Sequence, residues 1–404
     1  MSTGQAIRQH FPIFSGIDAP FHFLDNAATG QICAAALEAQ TAFERHSRAN
    51  VKRGVYKLAD RATQAFEAAR AAVAAYLGVA NADDVVLTSG ATMGLNIIAS
   101  SLCQRLQAGD VILISELEHH SNIVPWQLHA APRGIKLEPI TVTDEGRLDL
   151  DALAACDTAN VKVIAVTHAS NVTGAATDMA AIRAIAERSN AWIVVDGAQR
   201  APHGPIDVPS LGCHAYALSA HKMFGPTGAG ALWIEPGLAA DLPPFLGGGE
   251  MIAQVSIARS TFAKPPHKFE AGTPPIGPII GMGAAAAWLS SLDWAELVAH
   301  EKQLTEMLIN RLEEFPEVSI LGPASMQERY GVVAFDVADV HPHDVCQMLD
   351  QFGVCLRGGH HCAQPLMDRF DLAATSRASL APYNDADDIA ALIHGLRETI
   401  RRLG

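Results

Sequence analysis

An α/β fold, with a large, mostly parallel sheet domain and a smaller α+β domain at the C-terminus, is predicted by three features of this sequence. The chain has 404 residues, more than one typical domain. Short apolar runs alternate with helical stretches, the pattern of a parallel sheet covered on both faces. After Gly272-Thr273-Pro274-Pro275 this alternation gives way to a long helical region followed by short strands.

Taken in order, residues 1–20 form an N-terminal arm, 21–275 the large domain and 276–404 the small one. Strands are expected at Val85-Val86-Leu87-Thr88, Val111-Ile112-Leu113-Ile114, Val163-Ile164-Ala165-Val166, Ile193-Val194-Val195-Asp196 and His214 to Leu218. Gly90-Ala91-Thr92 opens a helix, and Ala176 to Ser189 reads as another. The later region is helical from about Gly277 to Phe315, with strands at Val318 to Leu321, Gly331 to Phe335 and Val354 to Leu356. A last helix places Ile389, Leu392, Ile393, Leu396 and Ile400 on one stripe. In sheets of this kind ligands collect at the carboxyl ends of the strands. Thr88 to Gly90, Glu116 to His120, His168 to Asn171 and Asp196 to Gln199 all follow strands, so their polar residues converge on one crevice.

Composition excludes several classes. Hydrophobic residues make up 49% and charged ones 18%, and the longest apolar runs break well before a bilayer span. The N-terminus carries neither a secretory nor a transit signal, which makes the cytoplasm the default. A net charge of −14 argues against a nucleic-acid surface. Seven cysteines form no CxxC pair, so neither a disulfide framework nor a zinc site is expected.

The chemistry concentrates around SAHKMFGPTG, residues 219–228. Lys222 is one of eight lysines and has apolar residues before it and glycines after it. Burial favours the neutral amine, which suits a Schiff base with an aldehyde such as that of pyridoxal phosphate; a phosphate-contacting or surface lysine is the plainer reading. That cofactor needs an amine, an acid beside its ring nitrogen, a stacking group and a phosphate cradle. Asp196, ending an apolar strand in VVDGAQ, offers the acid, and as a lone residue reads equally as a turn aspartate. Gln199 reaches the ring hydroxyl. His119, in EHHSNIVPW, offers the stacking and proton-carrying imidazole. The neighbouring His120 does not make a metal site with it, because adjacent side chains seldom face one ion and no third ligand follows by spacing. The helix opening at Thr92 favours a phosphate, with Ser219 and His221 completing the cradle.

A second reactive element is RGGHHCAQP, residues 357–365. Gly358 and Gly359 permit a bent, mobile loop, while Arg357, His360 and His361 place positive charge near Cys362, surroundings that suit a nucleophilic sulfur. Arg377, in TSRASLAPYN, offers a two-pronged clamp for a substrate carboxylate, or is simply a surface arginine.

Together these segments resemble the cysteine desulfurases of aminotransferase class V, fold type I of the pyridoxal-phosphate enzymes, and within them the SufS/CsdA-like group with a short HCAQP loop. The matching segments run nearly end to end, from LDNAAT at 24–29 through SNVTG at 170–174 and FEAGTPP at 269–275 to RASLAPYN. The resemblance implies L-cysteine desulfuration to L-alanine through a persulfide on Cys362, for transfer to a sulfur acceptor of the SufE type in iron–sulfur or related metabolism. It implies Lys222 as the cofactor's Schiff-base lysine, Asp196, Gln199, His119 and Asn171 as ring contacts, and Thr92, Ser219 and His221 as phosphate contacts. Thr273 is then supplied by the other subunit of a homodimer, and Asn26, Arg357 and Arg377 bind the substrate's amino-acid end. Selenocysteine lyase activity, and a catalytically silent sulfur-transfer partner protein, are the alternative readings.

Three sets of residues depart from the family pattern. Ala91 and Met93 stand where threonine and glutamate are usual, Lys52 and Tyr56 where histidine is common, and Arg200 and Pro202 where smaller or apolar residues follow VVDGAQ. The last pair is expected to alter the floor of the pocket.

Overall fold

The computed structural model describes residues 2–17 and 20–404. Seven strands form the large sheet, in the spatial order Val85–Thr88, Gly230–Ile234, Ala215–Ser219, Trp192–Asp196, Val161–Thr167, Val111–Ser115 and Lys136–Ile140. Only Gly230–Ile234 runs against its neighbours; the remaining pairings are parallel. The expected α/β class and mostly parallel sheet are therefore present.

Alternation of side chains along each strand divides the apolar runs between two cores. Leu113, Ile164, Val166, Ile193, Val195, Tyr216 and Leu218 enter one. Ile112, Ile114, Val163, Ala165, Val194, Ala215 and Ala217 enter the other, on the opposite face. Because both faces are buried, the sequence shows continuous hydrophobic runs in place of alternation.

The helical region expected as one piece is two helices, Ile276–Ser290 and Trp294–Leu312. Asp293 caps the second through the N–H groups of Ala295 and Glu296, which fixes the break. The first helix packs on Ala34–His46 and Lys57–Tyr76. Contact there is so close that a Cβ on Gly283 would lie 2.4 Å from the Ala69 Cα. The expected division after residue 275 thus falls just before a helix whose buried face joins the large unit's core.

The small sheet is antiparallel, with the order Val318–Leu321, Val332–Val337, Thr375–Ser379, Arg357–Gly359. Its own core takes in Leu304, Leu308, Val333, Phe335, Val345 and Leu349. The stripe of the final helix, Ala386–Leu403, buries Ile389, Leu392, Ile393 and Leu396, with Ile400 partly covered. Val354–Cys355 does not extend this sheet. It pairs in parallel with His22–Phe23 from the start of the chain, and Asp25 is bridged to Ser379. Arg8 fastens the arm with two contacts to the buried Asp388 carboxylate, at 2.6 and 2.7 Å. No helix among the described residues is long and apolar enough to cross a membrane.

A buried ion cluster ties the segment before Thr273 to the large unit. Arg70, wholly buried, donates to Glu270 at 2.5 Å and to the Val85 carbonyl at 2.7 Å. Glu270 also accepts from Leu87 N–H at 2.8 Å and from Lys52 at 3.2 Å. Lys52, one of the departures, is therefore a structural cation. Burial alone would raise the Glu270 carboxyl's pKa, but His267, Arg70 and Lys52 outweigh it and hold it well below the usual carboxylate range. A depressed carboxylate contributes stability above its unfolded pKa and loses it as pH falls towards the folded one. Glu270→Ala leaves Arg70 buried without its partner and is expected to cost about 3–5 kcal/mol at neutral pH. In urea titrations this deficit should shrink as pH is lowered through and below about 4; a deficit independent of pH would count against the ion pair.

Candidate active site

A cavity of about 640 Å³ lies where the carboxyl ends of the large sheet meet the small sheet. Thr92, His119, Asn171, Asp196, Ser219, His221 and Lys222 line it from the large unit, and Arg357, Cys362 and Arg377 from the small one. The convergence expected of the post-strand segments follows from register: Asp196 pairs with Thr167 on one side and Ala217 on the other.

Lys222 sits three residues beyond the strand Ala215–Ser219, in a turn closed by Ala220 N–H to Ala229 O at 3.0 Å and Gly225 N–H to Ala220 O at 2.9 Å. Buried Met223 and Phe224 anchor the turn on one side of the lysine. Lys222 makes no hydrogen bond or salt bridge among the described residues. Burial lowers its pKa to about 8; Asp196 opposes the shift, while Arg377 and Arg357 add to it. Asp196 accepts from Ala198 N–H at 2.9 Å. Its own pKa is raised by burial, against the pull of Lys222 and that N–H.

His119 carries a defined tautomer. Its Nδ1 accepts the backbone N–H of Ser121 at 3.1 Å, and a backbone amide can only donate, so the ring proton resides on Nε2. Burial, then the charges of Lys222 and His120, lower its pKa to about 3, which keeps the ring neutral. Behind it lies a group that sequence reasoning missed. Glu118, with no exposed surface, accepts from Ser115 Oγ, from Thr167 N–H at 2.6 Å and from Asn122 Nδ2 at 2.7 Å. Burial raises its pKa to about 8. Trp126 Nε1 donates to Asn122 Oδ1 at 3.1 Å, completing a chain in which 118, 122 and 126 follow at helical spacing. That spacing was the available signal.

At the opposite end the helix Ala91–Cys103 points its N-terminus into the cavity. Gly90 has φ +149°, and a Cβ on Gly230 would come 2.5 Å from the Gly90 Cα, so both glycines are needed for the helix to start against the sheet. Ala91 N–H donates to Ser219 Oγ at 2.8 Å, and Thr92 Oγ1 lies 2.9 Å from Ser121 Oγ. First-turn N–H groups lack intrahelical acceptors, so this end remains an anion site despite the Ala91 and Met93 departures. His221 Nδ1 lies 3.3 Å from Thr29 Oγ1, and burial together with Lys222 lowers its pKa to about 4.

The small sheet supplies the facing wall. Arg377, 2% exposed and on the strand Thr375–Ser379, is no surface arginine. Its Nη1 donates to Asn171 O at 2.9 Å and its Nη2 to Asp25 at 3.1 Å, while its buried Nε has no partner. Burial lowers its pKa to about 10. Asn171 Nδ2 donates to the His361 carbonyl at 2.7 Å. The segment expected as one loop over 357–365 is divided: Arg357–Gly359 pairs with Thr375–Ser379, and Gln364–Arg369 is helical. A strand of Arg-Gly-Gly carries no side-chain alternation to betray it. Cys362 lies between these elements with its side chain exposed.

Four residues with expected roles stand elsewhere. Asn26 spends its amide on Ser379 O at 2.6 Å and Asn384 Oδ1 at 3.1 Å, and accepts from Tyr383 Oη, joining the N-terminal segment to the small unit. Gln199 lies behind the cavity, donating to Ala27 O at 2.8 Å. Thr273 is exposed and lines no part of this chain's cavity. Arg200 does not form the floor; it turns to the far side and donates to Gly204 O at 2.8 Å.

The remaining set fits pyridoxal phosphate: an unpaired amine, a buried acid, a neutral imidazole and an anion-binding helix end. The orphaned Nε of Arg377 and Nδ1 of His361 are buried polar atoms of the lining residues that a ligand can satisfy.

Comparison with known proteins agrees. Residues 22–392 match the family described as Aminotransferase class-V. The probable cysteine desulfurase of Streptomyces coelicolor is 43% identical over 403 residues, covering 97% of this chain and 96% of the relative. The crystal structure of the Escherichia coli cysteine desulfurase CsdA (S-sulfonic acid) superposes with a TM-score of 0.92 at 35% identity, covering all of both chains. An apo cysteine desulfurase structure from Thermococcus onnurineus gives 0.94 at 34% identity, covering 100% of this chain and 99% of that one.

The depressed pKa of Lys222 has a direct readout. At pH 8 about half of its amines are neutral, against less than about one in a hundred for an ordinary lysine. In cofactor-free protein, competitive acetylation followed by mass spectrometry should show Lys222 the fastest-labelled lysine at pH 7–8, with its advantage vanishing above about pH 10. Labelling no faster than the exposed lysines would contradict the electrostatics.

Proposed function

The chain belongs to the aminotransferase class-V family, and from that footing we propose that it is a pyridoxal-phosphate-dependent L-cysteine desulfurase that delivers sulfur to Cys362 and releases L-alanine. One observation carries this reading: Cys362 and Lys222 line the same cavity from opposite units, together with Asp196, His119 and Arg377. A transaminase needs the second, third and fourth of these groups but has no use for a thiol there.

Lys222 would hold the cofactor's aldehyde, Asp196 its ring nitrogen, His119 and Asn171 its ring, and Thr92, Ser219 and His221 its phosphate. When bound, pyridoxal phosphate supplies an electron sink at the substrate's α-carbon. Lys222 is a base of suitable strength to move the substrate's α-proton, because burial has brought its pKa to about 8. Neutral His119 presents an Nε2–H and carries no charge that would repel Lys222 or Arg377. The unpaired Nε of Arg377 receives the substrate carboxylate, and Arg357 adds a second positive charge. Cys362 then attacks the substrate sulfur as a thiolate. A sulfur–sulfur bond forms, the carbon–sulfur bond breaks, and its electron pair stays with the amino-acid fragment, which is protonated to alanine.

Exposure of Cys362 supports hand-over of the persulfide sulfur to an acceptor protein of the SufE type. A homodimer is supported by Val255, Ile257 and Phe262, which stand 63%, 108% and 48% exposed on one hairpin, Ile252–Val255 with Ser260–Phe262. Such a hairpin needs cover, and a second copy would bring Thr273 to the neighbouring cavity. All seven cysteines are free thiols, which supports a reducing compartment such as the cytoplasm.

Wild-type protein with pyridoxal phosphate, L-cysteine and a thiol reductant should release alanine, and Cys362→Ala should lower the rate by about a hundredfold or more. Persulfide-specific labelling should mark Cys362 in the wild type alone. Lys222→Ala should fail to retain a visible cofactor absorbance after gel filtration. Full alanine release by Cys362→Ala would remove the persulfide role, whereas a normal cofactor spectrum in Lys222→Ala would remove the lysine's.

A further inference from the structure

Beyond Asp196 the chain turns away from the active-site cavity and borders a second one of about 230 Å³, at the seam between the two units. It is smaller than the roughly 300–1,000 Å³ of pockets that enclose drug-sized ligands. Arg200 and His203 line it from the segment after Asp196, Glu301 and Lys302 from the helix Trp294–Leu312, and Arg329 and Tyr330 from the loop before Val332–Val337.

The charges in this cavity do not balance. Arg329 is 5% exposed; its Nη1 and Nη2 donate to Pro323 O and Val332 O, each at 2.7 Å, and its buried Nε has no partner. A buried guanidinium held only by carbonyls is costly unless an anion meets it. Burial alone lowers the Arg329 pKa, to about 10, with no acid opposing it. Arg200 extends over the Tyr330 ring, 5.6 Å from its centroid, and Lys302 is exposed at the rim. None of these three cations makes a salt bridge among the described residues. Glu301 is the one carboxylate lining the cavity, and it is committed to His203 at 2.6 Å and to Gly331 N–H at 2.9 Å. On a chain of net charge −14, three cations around one small space, with Glu301 as their one carboxylate neighbour, form an unusual concentration.

We infer that this cavity binds a small free oxyanion, a phosphate or a short carboxylate, through Arg329 Nε, Arg200 and Lys302. The anion would join the two units at a place tied to the active site: Ala175 is bridged to Arg329, Ala176 N–H donates to Glu328 O at 2.8 Å, and Tyr330 N–H donates to Gly174 O at 2.9 Å, three residues from Asn171. The inference does not depend on the desulfurase reading.

The test uses protein loaded with pyridoxal phosphate, so that the helix-end phosphate cradle is filled, and titrates inorganic phosphate and malonate separately by calorimetry at constant ionic strength. Saturable binding of at least one ion is expected, weakened about tenfold by Lys302→Ala and abolished in Arg200→Ala/Lys302→Ala. Binding of phosphate alone or of malonate alone identifies the source of the oxyanion. The bound ion should also raise the Tm of wild type but not of the double variant. Should Arg200→Ala fail to fold, Lys302→Ala and Lys302→Glu, altered only at an exposed position, decide the matter. No saturable heat from either ion, or affinity unchanged in these variants, overturns the proposal.

Discussion

Two opposite charges withdrawn from water, Asp196 and Lys222, set the terms for the rest of the cavity. Burial pushes the carboxyl up and the amine down, and each charge resists the shift imposed on it by supporting the other. Neither would be tenable alone in this position. They are brought together by backbone alone: parallel pairing puts Asp196 beside Ala217, and the turn after Ser219 returns Lys222 to the same strand ends. The sheet therefore needs to be parallel at this point, with loops long enough to turn inward and glycines where the backbone is crowded.

The histidines around the cavity obey a related constraint. His119, His341 and His360 all line it, and in each the Nδ1 accepts the backbone N–H two residues ahead, at 3.1, 3.2 and 3.0 Å. An amide cannot serve a protonated Nδ1, so the same local bond selects one tautomer three times and leaves Nε2 as the donor. For His119 and His361, burial and the nearby arginines work in the same direction. A cavity with Lys222, Arg357 and Arg377 on its walls is thus lined by imidazoles that add no further positive charge at these two positions.

Much of this was legible in the residues because the large sheet is buried on both faces and its central strands are largely apolar runs. The polar groups that follow those strands then had only one end of the sheet to occupy. What escaped reading depended on distant partners. Arg357–Gly359 is a strand only because Thr375–Ser379 lies beside it, and Val354–Cys355 is drawn to His22–Phe23 from the other end of the chain. Glu118 was not singled out in the sequence, and only the folded loop reveals its three donors, Ser115, Thr167 and Asn122. Asn26 was expected at the substrate, yet the return of the N-terminal segment to Ser379 and Asn384 consumes its amide. Arg200 was expected to alter the pocket floor because it departs from the family pattern just after VVDGAQ; the 3-10 turn at Ala201–His203 begins there, and the side chain donates to Gly204 O.

The backbone at Cys362 is a fixed support for an exposed sulfur. His361 and Cys362 both have positive φ, 53° and 55°, a pair of left-handed residues without glycine. Each costs about 1–3 kcal/mol and persists only if the surroundings enforce it. The enforcement is visible: His120 N–H donates to Cys362 O at 2.8 Å, Gln364 N–H to His120 Nε2 at 3.2 Å, and Asn171 to His361 O at 2.7 Å, while His361 Nε2 lies 3.0 Å from the Thr375 carbonyl. Most of these contacts grip the main chain or the histidine rings, and none holds the sulfur. A strained but anchored backbone with an exposed thiol gives the side chain two faces, one towards the Lys222 cavity and one towards solvent. Mobility of the whole segment, which its glycines suggested, is not required for the thiol to border both the cavity and solvent.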